Sequence, residues 1–412
     1  MKQHLLVLLG CSLALLSCNR EEETSTDPAT PESPTMAPVE TNAPNTTYSP
    51  AFAGQTRVGG VATAASSYQA TIVTSSLTSP WGITSLPNGH LLITEKAGQM
   101  RIVIPASGTV GAPITGLPAV NPAGQGGLLG VCLDPDFATN RMVYWSFSEA
   151  RPTGNLTAIA KGRLANDERT IEAATVIYRA EPAYAGNLHY GGRVVFDRTG
   201  NLLVSTGERS DLVTRPQAQD VTSALGKIIR ITREGQPAPD NPVFGQAGAR
   251  PELYSIGHRN PQGLAIHPVT GDAWQSEHGP RGGDEINRLQ AGANYGWPTI
   301  TYGIEYSGQP VGSGIQERNG LEQPVYYWDP VVSPSGMAFY TGNRIAGWQH
   351  NLFIGALSGQ HIVRLVLENN RVVGEERLLA GEGQRFRAIA QGSDGALYAV
   401  TDQGRLYRID RP

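Results

Sequence analysis

Cysteine, long apolar runs and net charge are all scarce in this chain, and each shortage excludes a class of protein. Three cysteines in 412 residues are too few for a disulfide scaffold. No internal stretch reaches the roughly 18 apolar residues of a transmembrane helix, which excludes a membrane transporter. A formal net charge of −4 provides no basic surface for general nucleic-acid binding. A hydrophobic content of 40% excludes disorder of the whole chain.

Glycine, by contrast, is abundant. The chain has 49 glycines in 412 residues, about 12%, against roughly 7% in an average protein. A further 29 prolines favour turns over long helices. At about 150 residues per domain the length allows two or three domains, but a single closed all-β domain can have the same length.

Residues 1–17 have the pattern of a signal peptide. Lys2 supplies a positive start, and Leu5 to Leu16 form an apolar run too short to span a membrane as a mature helix. The run ends in Leu-Leu-Ser before Cys18, which resembles a bacterial lipobox and predicts lipidation of Cys18; an ordinary secretory signal is the alternative. We therefore expect a lipid-anchored protein of the bacterial cell envelope, facing the periplasm or the outer surface.

Residues 18–66 predict a flexible tether. Three consecutive acids, Glu21 to Glu23, are followed by prolines among serine, threonine and alanine. Such a composition buries too little apolar surface to offset the entropy of ordering the chain. After cleavage before Cys18 and its acylation, Cys132 is the one free cysteine, and its apolar surroundings predict a small buried side chain.

From residue 67 to 412 a β-hairpin pattern recurs six times. Each copy has short strands of alternating apolar residues around a turn. The turn residues are Gly89, Asn140, Gly200, Gly271, Asn351 and Gly395. Self-similar β units of this length predict propeller blades, which bury their sheet faces only when the ring closes. We therefore expect an all-β, six-bladed β-propeller, with a pair of β-sandwiches as the alternative.

Polar residues cluster in the loops beside these hairpins, which a propeller gathers at one mouth of its channel. The stretch GHRNPQGL places Arg259 beside Asn260, a planar cation next to an amide that can donate to a carbonyl. The following SEHGPRGGDEIN, residues 276–287, is rich in the oxygen ligands that Ca²⁺ prefers. His189, directly before a strand, is a candidate general base. Each of these residues alone also fits a structural role.

Three further side chains can face the same channel. Gln125 lies in a glycine-rich turn that lacks the Lys-Ser/Thr of a phosphate-binding loop. Arg385 and Arg387 alternate along one strand and therefore share a face. This pair of cations can hold a polyanionic ligand or simply line the channel.

Together these segments resemble the soluble glucose/sorbosone dehydrogenase family, and especially its aldose sugar dehydrogenase branch, whose cofactor is pyrroloquinoline quinone (PQQ). The matching stretches occur in family order over about residues 68–410. They are SPWGI, GQGGLLGVCLDPDF, LHYGGRVVFDRTGNLLVSTGER, ALGKIIRI, GHRNPQGLAIHP, EHGPRGGDEIN, GANYGWP and SGMAFY. The resemblance independently implies a six-bladed propeller. It implies a quinoprotein that oxidises aldoses to lactones and passes electrons to a quinone or cytochrome.

The resemblance also implies roles for individual residues. His189 matches the base that takes the proton of the anomeric hydroxyl, and Arg259 and Asn260 match the pair beside the quinone carbonyls. The remaining matches are Gln125, Arg385 and Arg387 as cofactor contacts, Gly279 and Pro280 as backbone ligands of the cofactor's Ca²⁺, and Glu285 and Tyr295 as ligands of a second, structural Ca²⁺.

Three positions depart from the family pattern. Leu188 stands where the glucose enzymes have an acid, and Ser358 where we expect a lysine that contacts the cofactor. Asp329 falls near a position that is aromatic in the glucose enzymes. These departures leave the sugar open. A non-catalytic binding propeller and a Ca²⁺-dependent lactonase-type propeller are the alternative functions.

Overall fold

The computed structural model describes residues 36–61 and 67–412. Within these ranges the chain forms 24 β-strands, one four-residue helix, α1 (Phe137–Asn140), and a 3-10 turn at Arg215–Ala218. No helix in the described ranges combines the length and apolar character needed to cross a membrane. The predicted signal peptide and the lipidated Cys18 lie outside the described residues.

The strands form six antiparallel sheets of four, which are the blades of the propeller. Blade one consists of β2 (Pro80–Ser85), β3 (Leu91–Glu95), β4 (Gln99–Ile104) and β5 (Thr109–Val110). Blade two consists of β6 (Leu128–Leu133), β7 (Met142–Arg151), β8 (Gly154–Leu164) and β9 (Ile171–Arg179). Blade three consists of β10 (Val194–Phe196), β11 (Leu202–Thr206), β12 (Lys227–Ile231) and β13 (Leu253–Ile256).

Blade four consists of β14 (Pro261–Ile266), β15 (Ala273–Glu277), β16 (Asp284–Arg288) and β17 (Tyr326–Trp328). Blade five consists of β18 (Pro334–Phe339), β19 (Leu352–Ala356), β20 (Ile362–Glu368) and β21 (Arg371–Leu378). Blade six consists of β22 (Phe386–Gln391), β23 (Leu397–Thr401), β24 (Leu406–Asp410) and β1 (Gln69–Thr74). The first strands of successive blades contact one another around a closed ring. The six-bladed propeller predicted from the repeats is therefore confirmed.

The ring closes through a strand that the repeat pattern did not predict. Strand β1, at the start of the propeller, pairs with β24 at its end, and Gln69 lies opposite Asp410. The last blade is thus built from both ends of the propeller sequence. This pairing holds the ring shut, because opening it requires breaking a whole antiparallel ladder.

All six predicted turn residues join the first and second strands of a blade. The four glycines adopt the left-handed conformation that such a turn requires, with φ of +87° at Gly89 and +82° at Gly395. At the two asparagine turns a neighbour adopts it instead, Arg141 in one and His350 in the other.

The core lies between the blades. The second strands β3, β11, β15, β19 and β23 are buried along their whole length, since each sheet is covered on both faces by its neighbours. Full burial of one large apolar side chain such as Phe147 or Phe353 stabilises the fold by about 1.5–3 kcal/mol. Cys132 on β6 is half-buried against one of these apolar clusters, and burial raises the pKa of its thiol.

Residues 36–61 form an N-terminal strap against the outside of blades four and five. The carboxylate of Asp329 accepts four hydrogen bonds from the backbone and side chains of Asn45 and Thr46, at 2.8 to 2.9 Å. Gln55 is fully buried and donates to the carbonyl of Pro324. The predicted flexible tether is therefore wrong for residues 36–61, because these polar contacts anchor a segment whose composition alone offers little to bury. Residues 18–35 and 62–66 of the predicted tether lie outside the described residues.

Candidate active site

A cavity of about 420 Å³ opens among the innermost strands, and four of the residues singled out from the sequence line it. Gln125 precedes β6, Asn260 immediately precedes β14, and Arg385 and Arg387 flank the first residue of β22. The fold brings these residues of blades two, four and six together because the first strand of every blade faces the channel.

His189 lies beside this cavity in a left-handed conformation, with φ of +45°. Its backbone N–H donates to Oε1 of Gln125 at 2.8 Å, and its Nδ1 lies 2.7 Å from Oε1 of Glu208. Both side chains of the His189–Glu208 pair are almost fully buried. Since Nδ1 is engaged by the carboxylate, Nε2 is the ring nitrogen available to a ligand.

The electrostatics of the pair suit a proton acceptor. Burial, with the charges of Arg259 and Arg209, holds the pKa of His189 well below its usual value, so the imidazole is neutral near pH 7. Burial raises the pKa of Glu208 to about 7, although Arg259 acts in the opposite direction. When Glu208 is ionised it accepts the Nδ1–H, which leaves the lone pair of Nε2 free.

Arg259 and Asn260 do not share the cavity as the sequence led us to expect. The Oδ1 of Asn260 accepts from the backbone of Gly191 at 3.1 Å on the cavity wall. The guanidinium of Arg259 instead donates to the carbonyls of His278 and Gly279, at 3.1 and 2.6 Å. It thus lines a second, smaller cleft next to the cavity, where Nη1 is bonded and the buried Nε has no hydrogen-bond partner in the described residues.

The cavity carries more positive than negative charge. Arg385 and Arg387 both pair with Asp402, at 2.9 and 2.7 Å. Lys96, which the sequence analysis did not single out, lines the same wall and donates to the carbonyl of Gly124. Three cations and one carboxylate leave an excess of two positive charges. Such an excess attracts a polyanionic ligand.

Lys96 gives the cavity a lysine, although the position at which a lysine was expected holds Ser358. The hydroxyl of Ser358 lies 2.8 Å from that of Ser333, a residue of the cavity wall, and supplies no charge. The third cation comes instead from the turn after β3 in blade one. Its position just past a buried strand was the signal available in the sequence.

The second cleft collects part of the predicted metal-binding set. Gly279, Glu285 and Tyr295 line it together with Glu277. The Gly279 carbonyl is already bonded to Arg259, and Pro280 lies outside this lining. The carbonyl that the predicted cofactor Ca²⁺ would use at Gly279 thus already accepts one hydrogen bond from a guanidinium.

Glu285 is half-buried opposite the buried Glu277 on the neighbouring strand, and burial together with the charge of Glu277 raises the pKa of Glu285 well above its usual value. The buried oxygens Oδ1 of Asn287 and Oε1 of Gln275 beside them have no hydrogen-bond donor in the described part of the chain. Carboxylates and orphaned carbonyl oxygens are the ligands of a hard cation, so this donor set fits Ca²⁺. No cluster of three or more histidine, cysteine or acidic side chains with metal-binding geometry occurs in residues 36–61 and 67–412.

Two departures from the family pattern differ in their relation to the cavity. Leu188, beside His189, is 42% exposed, so an apolar side chain stands next to the candidate base. Asp329 is buried under the N-terminal strap and does not line the cavity. Its carboxylate binds the strap and is therefore not positioned to contact a substrate in the cavity.

Several cavity residues were not predicted from the sequence. Besides Lys96 they are Trp81, Tyr190, His278 and Asp402, and Glu208 next to the cavity was missed as well. Glu208 lies two residues after the end of β11, at the same mouth of the channel as His189, which was the available signal. The aromatic residues gave no such signal, because sequence alone does not distinguish a tryptophan or tyrosine of the cavity from one of the core.

The chain is similar in sequence to known proteins. Residues 77–408 match the family model described as Glucose / Sorbosone dehydrogenase. The chain is 42% identical over 335 residues to Aldose sugar dehydrogenase YliI of Escherichia coli (strain K12), covering 80% of this chain and 89% of that protein.

Solved structures share the fold. A crystal structure of a glucose dehydrogenase superposes with a TM-score of 0.79 at 46% identity, over 84% of this chain and 99% of that one. The PQQ-bound form of an aldose sugar dehydrogenase from Streptomyces coelicolor superposes with a TM-score of 0.69 at 30% identity, over 84% of this chain and 98% of that one.

Proposed function

The chain belongs to the glucose/sorbosone dehydrogenase family, and from that premise we propose that it is a PQQ-dependent aldose sugar dehydrogenase. It oxidises the anomeric carbon of an aldose to a lactone. The observation that carries the proposal is a cavity with an excess of two positive charges directly beside a buried, neutral His189 held by Glu208. A proton acceptor next to a polyanion site is what this oxidation requires.

The cavity residues fit the cofactor. PQQ is planar and carries three carboxylates, which Lys96, Arg385 and Arg387 can pair with, while Gln125 and Asn260 supply amide groups. When bound, the quinone supplies the acceptor for the hydride of the anomeric carbon. Asn260 would hold the cofactor by donating from its amide to a quinone oxygen, and the positive charge of Arg259 in the neighbouring cleft would favour negative charge there.

The protein's own contribution to the chemistry is proton transfer and orientation. Nε2 of His189 accepts the proton of the anomeric hydroxyl as the carbonyl of the lactone forms. Glu208 holds the ring through Nδ1 and stabilises the imidazolium that results. A positioned general base of this kind contributes about 10²–10⁴-fold in rate.

We place a structural Ca²⁺ in the second cleft. Glu285 and the backbone carbonyl of Tyr295 are its ligands, and the support is the pair of adjacent carboxylates, Glu277 and Glu285, with orphaned oxygens beside them. A cation there relieves the repulsion between Glu277 and Glu285. A cofactor Ca²⁺ at the carbonyls of Gly279 and Pro280 would share the Gly279 oxygen with Arg259, which the two lone pairs of a carbonyl allow.

We further propose that the enzyme is anchored to the bacterial cell envelope through Cys18, facing the periplasm or the outer surface, and that it passes electrons to a quinone or cytochrome. The lipobox-like Leu-Leu-Ser-Cys at residues 15–18 supports the anchor. Labelling with a radioactive fatty acid in a bacterial host, compared between wild type and Cys18→Ser, tests it.

The function is tested by reconstitution. Purified apoprotein is mixed with PQQ and Ca²⁺, and reduction of a redox dye is followed with a panel of aldoses. We expect sugar-dependent reduction that requires PQQ. Tight PQQ binding without turnover on any aldose would instead identify a non-catalytic binding propeller and refute the proposal.

A further inference from the structure

Arg193 is a buried cation with an unsatisfied end. It lies just before β10 with 8% of its surface exposed, and its Nε donates to the carbonyl of Gln262 at 2.9 Å. Nη2 is buried and has no hydrogen-bond partner in the described part of the chain. A buried charge without a partner is costly, so its retention calls for an explanation.

Arg364 provides a comparison, because it is a buried arginine whose charge is paired. Arg364 in blade five is 2% exposed and stacks on Trp348, as Arg193 stacks on Trp81. Unlike Arg193, it forms an ion pair with Glu376 at 2.7 Å. The ion pairs of the described residues include no carboxylate partner for Arg193.

The surroundings of Arg193 are those of the candidate cofactor cavity. Its guanidinium lies 4.3 Å from the ring centre of Trp81, and both Trp81 and Gln262 line the cavity. Nη2 lies next to Gly336, where any side chain would crowd it. Burial and the charge of Arg387, another cavity residue, lower the pKa of Arg193 to about 9, which leaves it protonated at neutral pH.

We propose that Arg193 and Trp81 together form an unassigned part of the cofactor site, in which the unpaired guanidinium behind the aromatic ring is neutralised by the polyanionic quinone. The inference rests on the proposed function, because it requires a planar anion in the cavity. This proposal has a distinctive consequence. The charge of Arg193 destabilises the protein without PQQ and stabilises the protein with PQQ bound.

The test compares Arg193→Gln with Arg364→Gln as the matched control. Melting temperatures are measured on the apoproteins, and PQQ affinity is measured by isothermal titration calorimetry in Ca²⁺ buffer. Arg193→Gln should keep or raise the apoprotein melting temperature and weaken PQQ binding about tenfold, as expected for loss of a charged partner. Arg364→Gln should lower the melting temperature, because it strands Glu376, and leave PQQ affinity unchanged.

A third variant, Arg193→Lys, keeps the proposal testable if Arg193→Gln fails to fold. Arg193→Lys keeps the charge, and its PQQ affinity should stay within a few-fold of wild type. If Arg193→Gln lowers the apoprotein melting temperature as much as Arg364→Gln does and Arg193→Lys binds PQQ no better than Arg193→Gln, the residue is merely structural and the inference is wrong. Unchanged PQQ affinity in Arg193→Gln also overturns it. That result leaves the proposed function standing, whereas a wild-type protein that binds no PQQ removes both.

Discussion

Replacing Glu208 with glutamine should lower turnover and change its dependence on pH. In the structure Glu208 holds Nδ1 of His189 at 2.7 Å, and burial raises the pKa of this carboxyl to about 7. Below that pH the carboxyl is protonated and donates its proton to Nδ1, so Nε2 carries the ring proton and cannot act as a base. Above it, the carboxylate accepts the Nδ1–H and Nε2 is free. Wild-type kcat/KM should therefore rise with pH through about 7.

In Glu208→Gln no group titrates at that position. The rise near pH 7 should disappear, and kcat should fall by about 10²-fold, because a neutral amide orients the ring but does not stabilise the imidazolium. The assay is dye reduction over a range of aldose concentrations between pH 5 and 9, which gives both kcat and kcat/KM, with PQQ loading verified by absorbance.

A matched control is available on the surface. His90 and Glu168 form a similar pair, also at 2.7 Å, in the contact between blades one and two. Glu168→Gln should leave both the rate and the pH profile as in wild type. If Glu208→Gln retained the wild-type profile and rate, Glu208 would not control the protonation of His189, and its role in the proton transfer would be refuted.

Three further predictions follow from the site and the strap. His189→Ala should lose about 10²–10⁴-fold in kcat and still bind PQQ; a PQQ-loaded variant with near wild-type turnover would contradict the assignment of the base. Asp329→Ala should lower the melting temperature by several degrees, since it leaves four donors of the strap unpaired; an unchanged melting curve would mean that the strap does not stabilise the propeller. Glu285→Gln should lower the melting temperature in Ca²⁺ buffer and raise it in a chelator, because the same carboxylate binds the ion and repels Glu277; equal shifts in both buffers would exclude the structural cation.

Local patterns in the sequence were enough to predict the blades. The six turn residues were identified because a glycine or asparagine between alternating apolar strands specifies a hairpin regardless of what packs on it. Six such units implied ring closure, since one blade cannot bury its own faces. Strand β1 was not predicted, because its partner β24 lies at the other end of the propeller sequence. No local pattern indicates a pairing between residues so far apart in the chain.

For the strap, residues 36–61, the composition predicts disorder but the structure holds the segment in place. Its proline- and threonine-rich composition predicts disorder, and composition measures how much apolar surface a segment can bury. Residues 36–61 are held instead by specific polar partners such as Asp329 and Glu375, which the rest of the fold provides. Those partners become visible only when the blades are assembled.

The same division applies to the site. His189, Gln125, Asn260 and the two arginines could be named from the sequence because they stand in specific motifs beside predicted strands, and the structure brings Gln125, Asn260, Arg385 and Arg387 to one cavity with His189 beside it.

The tertiary structure alone decided which groups these residues meet. It places Arg259 in the neighbouring cleft, adds Lys96 to the cavity and leaves Nη2 of Arg193 without a hydrogen-bond partner in the described part of the chain. The physical reason is that residue type and local spacing determine what a side chain can donate, accept or bury. Its charge partners and its degree of desolvation come from other blades, and they exist only once the ring has closed.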